Sequence, residues 1–170
     1  MLFINLMLAL IMMALAPATA LAAKPQLFYA EGGITYIEDT IIGDNAFPAG
    51  NSGRWRVVGR EMGGELSGDI NGSFLLTYKA NVELATQAGN LHGDLVAGGN
   101  NFKVNGKIQP LEMVETYPGV YLPKLTIDGQ WSLQGARGNG EFYGWVIFIP
   151  DEYGHVVMIV ASSFVMTGQW

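Results

Sequence analysis

The stretch Leu125-Thr-Ile-Asp-Gly-Gln-Trp-Ser-Leu133 alternates between polar residues and residues that are apolar or small. Successive side chains of an extended strand point to opposite faces, so this alternation predicts a β-strand with one apolar face. The glycine-rich residues 135–140 follow, and the chain then resumes as an apolar run over residues 142–149. Two strands joined by a glycine-rich turn are typical of a β-hairpin.

The same alternation predicts two further hairpins nearer the N-terminus. In one of them residues 71–73 form the turn, and we expect Ile70 to lie opposite Phe74. In the other, the four-residue loop 98–101 connects the two strands. Each hairpin has apolar side chains on one face and polar side chains on the other, as is usual where antiparallel strands cover a core.

The strands expected in the rest of the chain set the fold class. Residues 142–149 and 156–166 are apolar on both faces, which is typical of strands that are covered on both sides. Further short strands are expected at residues 27–30, 34–42 and 54–59, with loops at residues 48–53 and 115–119. About eight to ten consecutive strands with short connections are typical of a meandering barrel or sandwich. We predict an all-β fold, a single antiparallel meander barrel of about eight to ten strands, that forms one domain over residues 23–170.

The N-terminal residues 1–23 contain no charged side chain. An apolar run from Leu2 to Leu15 is followed by Pro17 and by small residues, which is typical of a secretory signal peptide with an A-x-A cleavage site. We predict a signal peptide over residues 1–22 and a secreted, periplasmic or cell-envelope location. The alternative is an uncleaved anchor, because about 20 apolar residues can span a bilayer.

The composition excludes several classes of function. Acidic residues outnumber basic ones by 15 to 9 in a chain of 170 residues. A net charge of −6 without any basic run gives no electrostatic attraction to nucleic acid, so we expect no nucleic-acid partner. The chain has no cysteine, which excludes disulfides, thiolate metal sites and a cysteine nucleophile.

The third hairpin also carries a family resemblance. Residues 129–144, GQWSLQGARGNGEFYG, combine an aromatic strand, a Gly-Ala-x-Gly-x-Gly turn and a Gly-x-Phe-x-Gly strand. This segment resembles the glycine-spaced hairpins of allene-oxide-cyclase-like and dirigent-like β-barrel proteins. The resemblance implies an eight-stranded barrel, frequently trimeric, with an apolar cavity for a lipid-like or phenolic ligand. Because the glycines that carry it are structural, it transfers no catalytic residue to this chain.

No pattern of residues indicates a particular reaction. Asp151, Glu152 and His155 could ligate a metal, but consecutive acids before a glycine are more often an exposed turn. Glu112 and Glu115 could form a carboxylate pair for acid–base catalysis, although nothing in their surroundings favours it. The sequence therefore predicts no catalytic residue, no metal site and no cofactor, and a non-enzymatic protein is the expectation.

Seven aromatic residues are predicted to point into the barrel. They either fill its core or line an apolar pocket, since eight strands can just enclose a small ligand. The predicted lining of an apolar ligand site is Trp55, Phe74, Tyr78, Phe102, Trp131, Phe142 and Phe148.

The outward face of the penultimate strand is apolar as well, and it consists of Tyr143, Trp145, Ile147 and Ile149. Large exposed apolar areas usually mark interfaces. Self-association is the most economical explanation, so we expect a symmetric homo-oligomer.

Three functions are compatible with these observations. The leading hypothesis is an exported, non-enzymatic barrel that binds an apolar small molecule or assembles with itself or with an envelope partner. The alternative is a small isomerase or cyclase that positions its substrate in an apolar cavity. That enzyme would need a buried polar group, for which the candidates are Glu61, Glu83, Glu112 and Tyr78. The second alternative is an eight-stranded outer-membrane barrel, but the charged faces of the hairpins argue against membrane insertion.

Overall fold

Strands dominate the structure, a computed structural model that describes residues 24–38, 46–152 and 155–170. The predicted signal peptide, residues 1–22, lies outside the described residues, as does part of the strand expected at residues 34–42. The described strands are β1 (Leu27–Ile37), β2 (Ala46–Pro48), β3 (Arg54–Gly68), β4 (Gly72–Glu83), β5 (Gly89–Ala97), β6 (Asn100–Ile108), β7 (Glu112–Tyr117), β8 (Val120–Leu133), β9 (Asn139–Pro150) and β10 (Val156–Gln169).

Eight of these strands close into a barrel. They pair antiparallel in the order β1, β10, β9, β8, β6, β5, β4, β3, and β3 pairs back to β1, where Gly64 lies opposite Ile34. β2 adds to the barrel beside β3, and β7 adds beside β8. The predicted all-β antiparallel barrel is therefore confirmed. None of the described residues belongs to a helix that could cross a membrane.

Large aromatic rings inside the barrel lie opposite glycines on the neighbouring strands. Phe164 is paired with Gly144, and Phe74 is paired with Gly64. A methyl group on Gly144 would lie 2.7 Å from a ring carbon of Phe164, closer than side-chain carbons approach one another. The glycines therefore provide the space that lets a narrow barrel hold rings of this size, which is a physical reason for so many glycines in strands.

The hairpin between β3 and β4 differs in register from the prediction. Phe74 lies opposite Gly64 and not opposite Ile70. The reason is that the last residues of β3 leave β4 and pair with β1, where Ser67 lies opposite Glu31. Because the shift is an even number of residues, the predicted apolar face still points inward.

The hairpin between β5 and β6 has a shorter turn than predicted. Gly98 and Gly99 form the turn alone, with φ angles of 54° and 76°. Positive φ at both central residues is the geometry of a two-residue type I′ turn, which suits the twist of paired strands. Asn100 and Asn101, predicted to be loop residues, are the first residues of β6.

The predicted loop at residues 115–119 is instead part of an additional, smaller hairpin between β7 and β8. Tyr117 lies opposite Val120, and Gly119 has a φ of 78° in the turn between them. The Glu115 Oε1 atom accepts a hydrogen bond of 2.7 Å from the Gly119 N–H. Because the Glu115 carboxylate accepts a backbone N–H of the turn, a charged residue is favourable at this position of the strand.

Replacing Gly144 with alanine tests the pairing of rings with glycines. We expect Gly144→Ala to lower the free energy of unfolding by about 1–3 kcal/mol, because the added methyl group overpacks the core against Phe164. Urea unfolding followed by tryptophan fluorescence measures this loss. Gly33→Ala is the matched control and should cost less, since its added methyl group meets only the Ser162 hydroxyl, at 3.1 Å. If Phe164→Leu fails to relieve the cost of Gly144→Ala in the double variant, the ring contact is not its cause.

Candidate functional site

The barrel interior contains the aromatic residues that the sequence predicts to point inward. The buried members are Phe74, Phe102, Trp131, Phe142 and Phe148. Trp55 and Tyr78 are only half-buried. Both occupy inward positions by register, since Trp55 lies opposite the buried Val82 and Tyr78 lies opposite the buried Arg60.

Trp131 organises one end of the interior, called the aromatic end here, where β1 begins and β10 ends. Its ring centroid lies 5.0 Å from that of Phe28 and 5.4 Å from that of Phe102, both in edge-to-face geometry. The Trp131 Nε1–H donates to the backbone oxygens of Glu141 and Thr167, each at 3.1 Å. Because the rings contact one another and the indole nitrogen is hydrogen-bonded, this half of the interior is a packed core.

The opposite half, the aliphatic end, is lined mainly by smaller side chains. A cavity of about 20 Å³ lies there, and its lining includes Tyr78, Ala80, Val82 and Leu91. A cavity needs about 10–15 Å³ to hold one water molecule, whereas ligand pockets usually begin at about 300 Å³. The interior therefore accommodates about one water at this point, and the aromatic residues serve better as core than as a ligand lining.

Arg60 is a buried charged residue of the interior, with 4 % of its surface exposed. The pairing of β3 with β4 is irregular between Val57 and Arg60, and Gly59 within this bulge has a φ of 65°. A bulge inverts the alternation of the strand, so Arg60 points inward opposite Tyr78 and Glu61 points outward. Sequence reasoning missed Arg60 because it did not foresee the bulge, for which Gly59 was the available signal.

The three glutamates considered as interior acids all lie elsewhere, which corrects that prediction. Glu61 accepts a hydrogen bond from the Tyr36 hydroxyl on the outer surface. Glu83 is exposed, and Glu112 lies 3.8 Å from the Lys124 Nζ atom on β8. Of the four candidates, Tyr78 alone points into the barrel, because the glutamates fall on outward or terminal positions of their strands.

The turn between β9 and β10 contains the cluster considered for metal binding. The Asp151 Oδ1 atom accepts the His155 backbone N–H at 2.8 Å, and Asp151 Oδ2 lies 3.0 Å from His155 Nδ1. These contacts stabilise the turn, and Glu152 is exposed. Over residues 24–38, 46–152 and 155–170, no group of three His, Cys, Asp or Glu side chains is arranged to hold a metal ion.

The outward faces of β9 and β10 form a largely apolar surface, the apolar wall. Tyr143 and Ile149 are exposed, and Trp145 and Ile147 between them are half-buried. Their neighbours on β10 by register are Val165, Ser163, Ala161 and Met158. The buried residues of β9 alternate with this row, so the row faces away from the core as the sequence predicts.

A groove of about 480 Å³ lies between the apolar wall and the β7–β8 hairpin. Val114 and Tyr117 of β7 form one side, and Trp145 and Ile147 of β9 form the other. The Lys124 Nζ atom lies 5.8 Å from the centroid of the Trp145 ring, in a cation–π contact. The groove is thus mainly apolar, and its charged lining residues are Lys124 and Glu115.

The opposite side of the barrel, formed by β4, β5 and β6, has a polar outer surface, the polar wall. Thr77, Asp94 and Lys103 lie side by side, and the Lys103 Nζ atom is 2.5 Å from Asp94 Oδ1. The hydrogen bond from Lys103 lowers the pKa of the Asp94 carboxyl. The next row contains His92 and Asn105, joined by a hydrogen bond of 2.6 Å. The charged side chains therefore concentrate on this side of the barrel, although Leu75 and Val96 are also exposed here.

The pKa of Tyr36, on the outer surface, is raised. Its hydroxyl donates to Glu61 Oε2 at 2.8 Å, and its ring covers Gly63. Partial burial is the largest cause that raises the pKa of Tyr36 to about 12. The hydrogen bond to Glu61 and the negative charges of Glu61 and Glu38 act in the same direction.

The raised pKa of Tyr36 predicts a loss of stability in alkali. Between the usual pKa of 10.0 and about 12, the unfolded chain loses the tyrosine proton while the folded chain retains it. The contribution of this group is therefore complete below pH 10.0 and is lost as the pH rises through about 12. Urea unfolding across this range should show a flatter pH dependence for Tyr36→Phe than for the natural chain. Tyr143→Phe, on the apolar wall, is the control; equal flattening in both variants would contradict the assignment.

Comparison of the chain with protein-family models, with curated proteins and with solved structures gives no match. The resemblance of residues 129–144 to allene-oxide-cyclase-like and dirigent-like hairpins stays a prediction.

Proposed function

We propose that this protein is a non-enzymatic, exported barrel that works as a docking module, with the apolar wall as its contact surface. The protein that covers the wall is a second copy or an envelope partner. The observation that carries this proposal is the apolar wall itself. It joins Tyr143, Trp145, Ile147 and Ile149 to the groove beside β7, and no other described element covers it.

The exposure of the wall supports docking to another protein. Val157 and Met158 on β10 are 67 % and 53 % exposed, and Tyr117 on β7 is 68 % exposed. Such residues cost free energy while they face water, at roughly 25 cal/mol for each Å² of apolar surface. These residues adjoin the groove and the outward row of β9, and a contiguous exposed apolar surface is typical of a protein interface.

The interior gives less support to the two functions that need a ligand inside the barrel. An apolar small molecule or the substrate of a cyclase would have to displace the rings around Trp131 or enlarge a cavity of about 20 Å³. Displacing packed core side chains costs several kcal/mol, about as much as a large-to-small substitution in the core. We therefore assign the inward aromatic residues to stability, with Tyr78 and Arg60 as the polar groups at the aliphatic end.

The distribution of charge argues against the outer-membrane alternative. A membrane barrel has an apolar band around its entire outer surface and a polar interior. Here the interior is apolar, and Lys79, Asp94, Lys103 and Lys107 lie on outward positions of three adjacent strands. Each of these charges would face lipid, at a cost of up to about 2–4 kcal/mol per basic residue.

Site-specific photo-cross-linking in the producing cell tests the proposal. The full chain carries a photoreactive phenylalanine analogue in place of Tyr143 on the apolar wall or, as the control, in place of Thr77 on the polar wall. We expect a discrete adduct from position 143 and none from position 77. An adduct of twice the chain mass identifies a second copy, and a different discrete mass identifies an envelope partner. Equal or absent cross-linking at both positions would overturn the proposal.

A charge on the apolar wall should abolish docking without unfolding the barrel. Ile147→Asp places a carboxylate among half-buried apolar side chains of the interface, which should remove the adduct at position 143. Its effect on the melting temperature of the isolated protein should be small, because Ile147 lies outside the core. Thr77→Asp is the matched control and should leave the adduct unchanged. A variant that melts like the natural chain but keeps the adduct contradicts the assignment of the wall.

A further inference from the structure

The β7 strand has one open edge within the described part of the chain. It pairs with the same edge of β8 that β6 occupies, and β5, which flanks β6 on the other side, begins at Gly89 opposite Ile108, so no described strand flanks β7 there. Such an edge presents unpaired backbone groups to other chains. The other strand outside the barrel, β2, has three residues and ends at Pro48, which limits pairing. β7 has six residues and contains neither proline nor lysine.

Pro123 shows which backbone groups of β7 face the open edge. Met113 lies opposite Pro123, and proline has no N–H, so this is a non-hydrogen-bonded pair. The N–H and C=O groups of Met113 therefore point away from β8. Glu115 has the same parity, and the Leu111 N–H, also of this parity, donates to Thr86 O at 3.0 Å on that side. Beyond Leu111 no described residue provides a partner for this edge.

We infer that β7 pairs antiparallel with β7 of a second copy across a two-fold axis at Val114. This inference rests on the proposed function only in taking assembly as the protein's role, and it uses a surface other than the apolar wall. In this register Met113 faces the partner subunit's Glu115, and Glu115 faces the partner subunit's Met113. Each pair exchanges two backbone hydrogen bonds, which satisfy the Met113 and Glu115 backbone groups at the open edge. The register of β7 shifts only after Glu115.

The side chains of β7 favour the same register. Val114 faces its own symmetry mate across a narrow, non-hydrogen-bonded pair, where apolar β-branched side chains pack well. Glu112 faces the partner subunit's Thr116, so no carboxylate lies directly opposite another. The carboxylates are also engaged within each copy, since Glu112 contacts Lys124 and Glu115 accepts the Gly119 N–H. An acidic chain therefore avoids direct charge repulsion at this contact.

The dimer has a consequence for the apolar wall. Strands that pair in one sheet are related by a two-fold axis perpendicular to that sheet, so Val114 of both copies lies on the same face. Val114 lines the groove beside Trp145 and Ile147. The two grooves are then neighbours on one side of the joined sheet, and a partner that spans both would bind with avidity.

A single cysteine tests the two-fold axis. The natural chain has no cysteine, so Val114→Cys introduces one thiol. Across a non-hydrogen-bonded antiparallel pair the Cα atoms are about 4.5 Å apart, within the range for a disulfide. We expect the full chain with Val114→Cys to form a covalent dimer under mild oxidation on the order of 100-fold faster than Lys79→Cys on the polar wall. Similar rates for the two variants would overturn the inference.

Charge reversal provides a second test that does not depend on oxidation. Val114→Lys places two like charges opposite each other at the axis and should weaken self-association at least about tenfold in native mass spectrometry, as should Val114→Glu. Mixing the two variants should restore a dimer of one copy of each. If the mixture forms no such dimer while the natural chain dimerises, β7 is not the contact.

The combined results separate this inference from the proposed function. Cross-linking through Val114→Cys that persists with Ile147→Asp supports the β7 dimer, even where the photo-adduct at position 143 is lost. A photo-adduct at position 143 without cross-linking at position 114 overturns the β7 dimer and leaves docking through the apolar wall intact.

Discussion

The contact between a large aromatic ring and a glycine backbone on the next strand is the constraint on which this barrel depends. Phe164 lies over Gly144, Phe74 lies over Gly64, and the Trp131 ring lies beside Gly168. A methyl group on any of these glycines would lie 2.7 Å from a ring atom. Eight strands enclose just enough volume for side chains, so the ring of Phe164 fits because Gly144 lacks a side chain. At Gly64 and Gly168 a backbone oxygen of the neighbouring strand lies closer still, and these glycines accommodate both the backbone and the ring.

The rings divide the interior into two unlike halves, and that division supports the proposed function. At the aromatic end they contact one another, and the indole nitrogen of Trp131 is satisfied by two backbone oxygens. At the aliphatic end the smaller side chains leave space for about one water. A barrel whose interior is used for packing has its outer surface left for recognition, which is why the proposed contacts lie on the apolar wall and on the edge of β7.

Local alternation predicted most of the strands and the direction in which their side chains point. It predicted the all-β barrel and the outward row from Tyr143 to Ile149, because one strand is enough to define two faces. It did not predict the register of β3 with β4, because β1 competes for the end of β3 through a pairing distant in sequence. Arg60 was missed for a related reason. The bulge at Gly59 inverts the faces of β3, and only the neighbouring strands reveal it.

The sequence by itself determined the class of the fold, the alternation of faces and the acidic, cysteine-free character of the chain, since these depend on residue type and local spacing. Only the tertiary structure decided which strands meet, how little space the described residues leave at the aliphatic end and which edge of the sheet stays open. Those properties depend on strands far apart in the chain. β5 begins at Gly89, opposite Ile108, and so does not extend along β7, and the Met113 backbone points away from β8 because it lies opposite Pro123. No local pattern of residues contains that information.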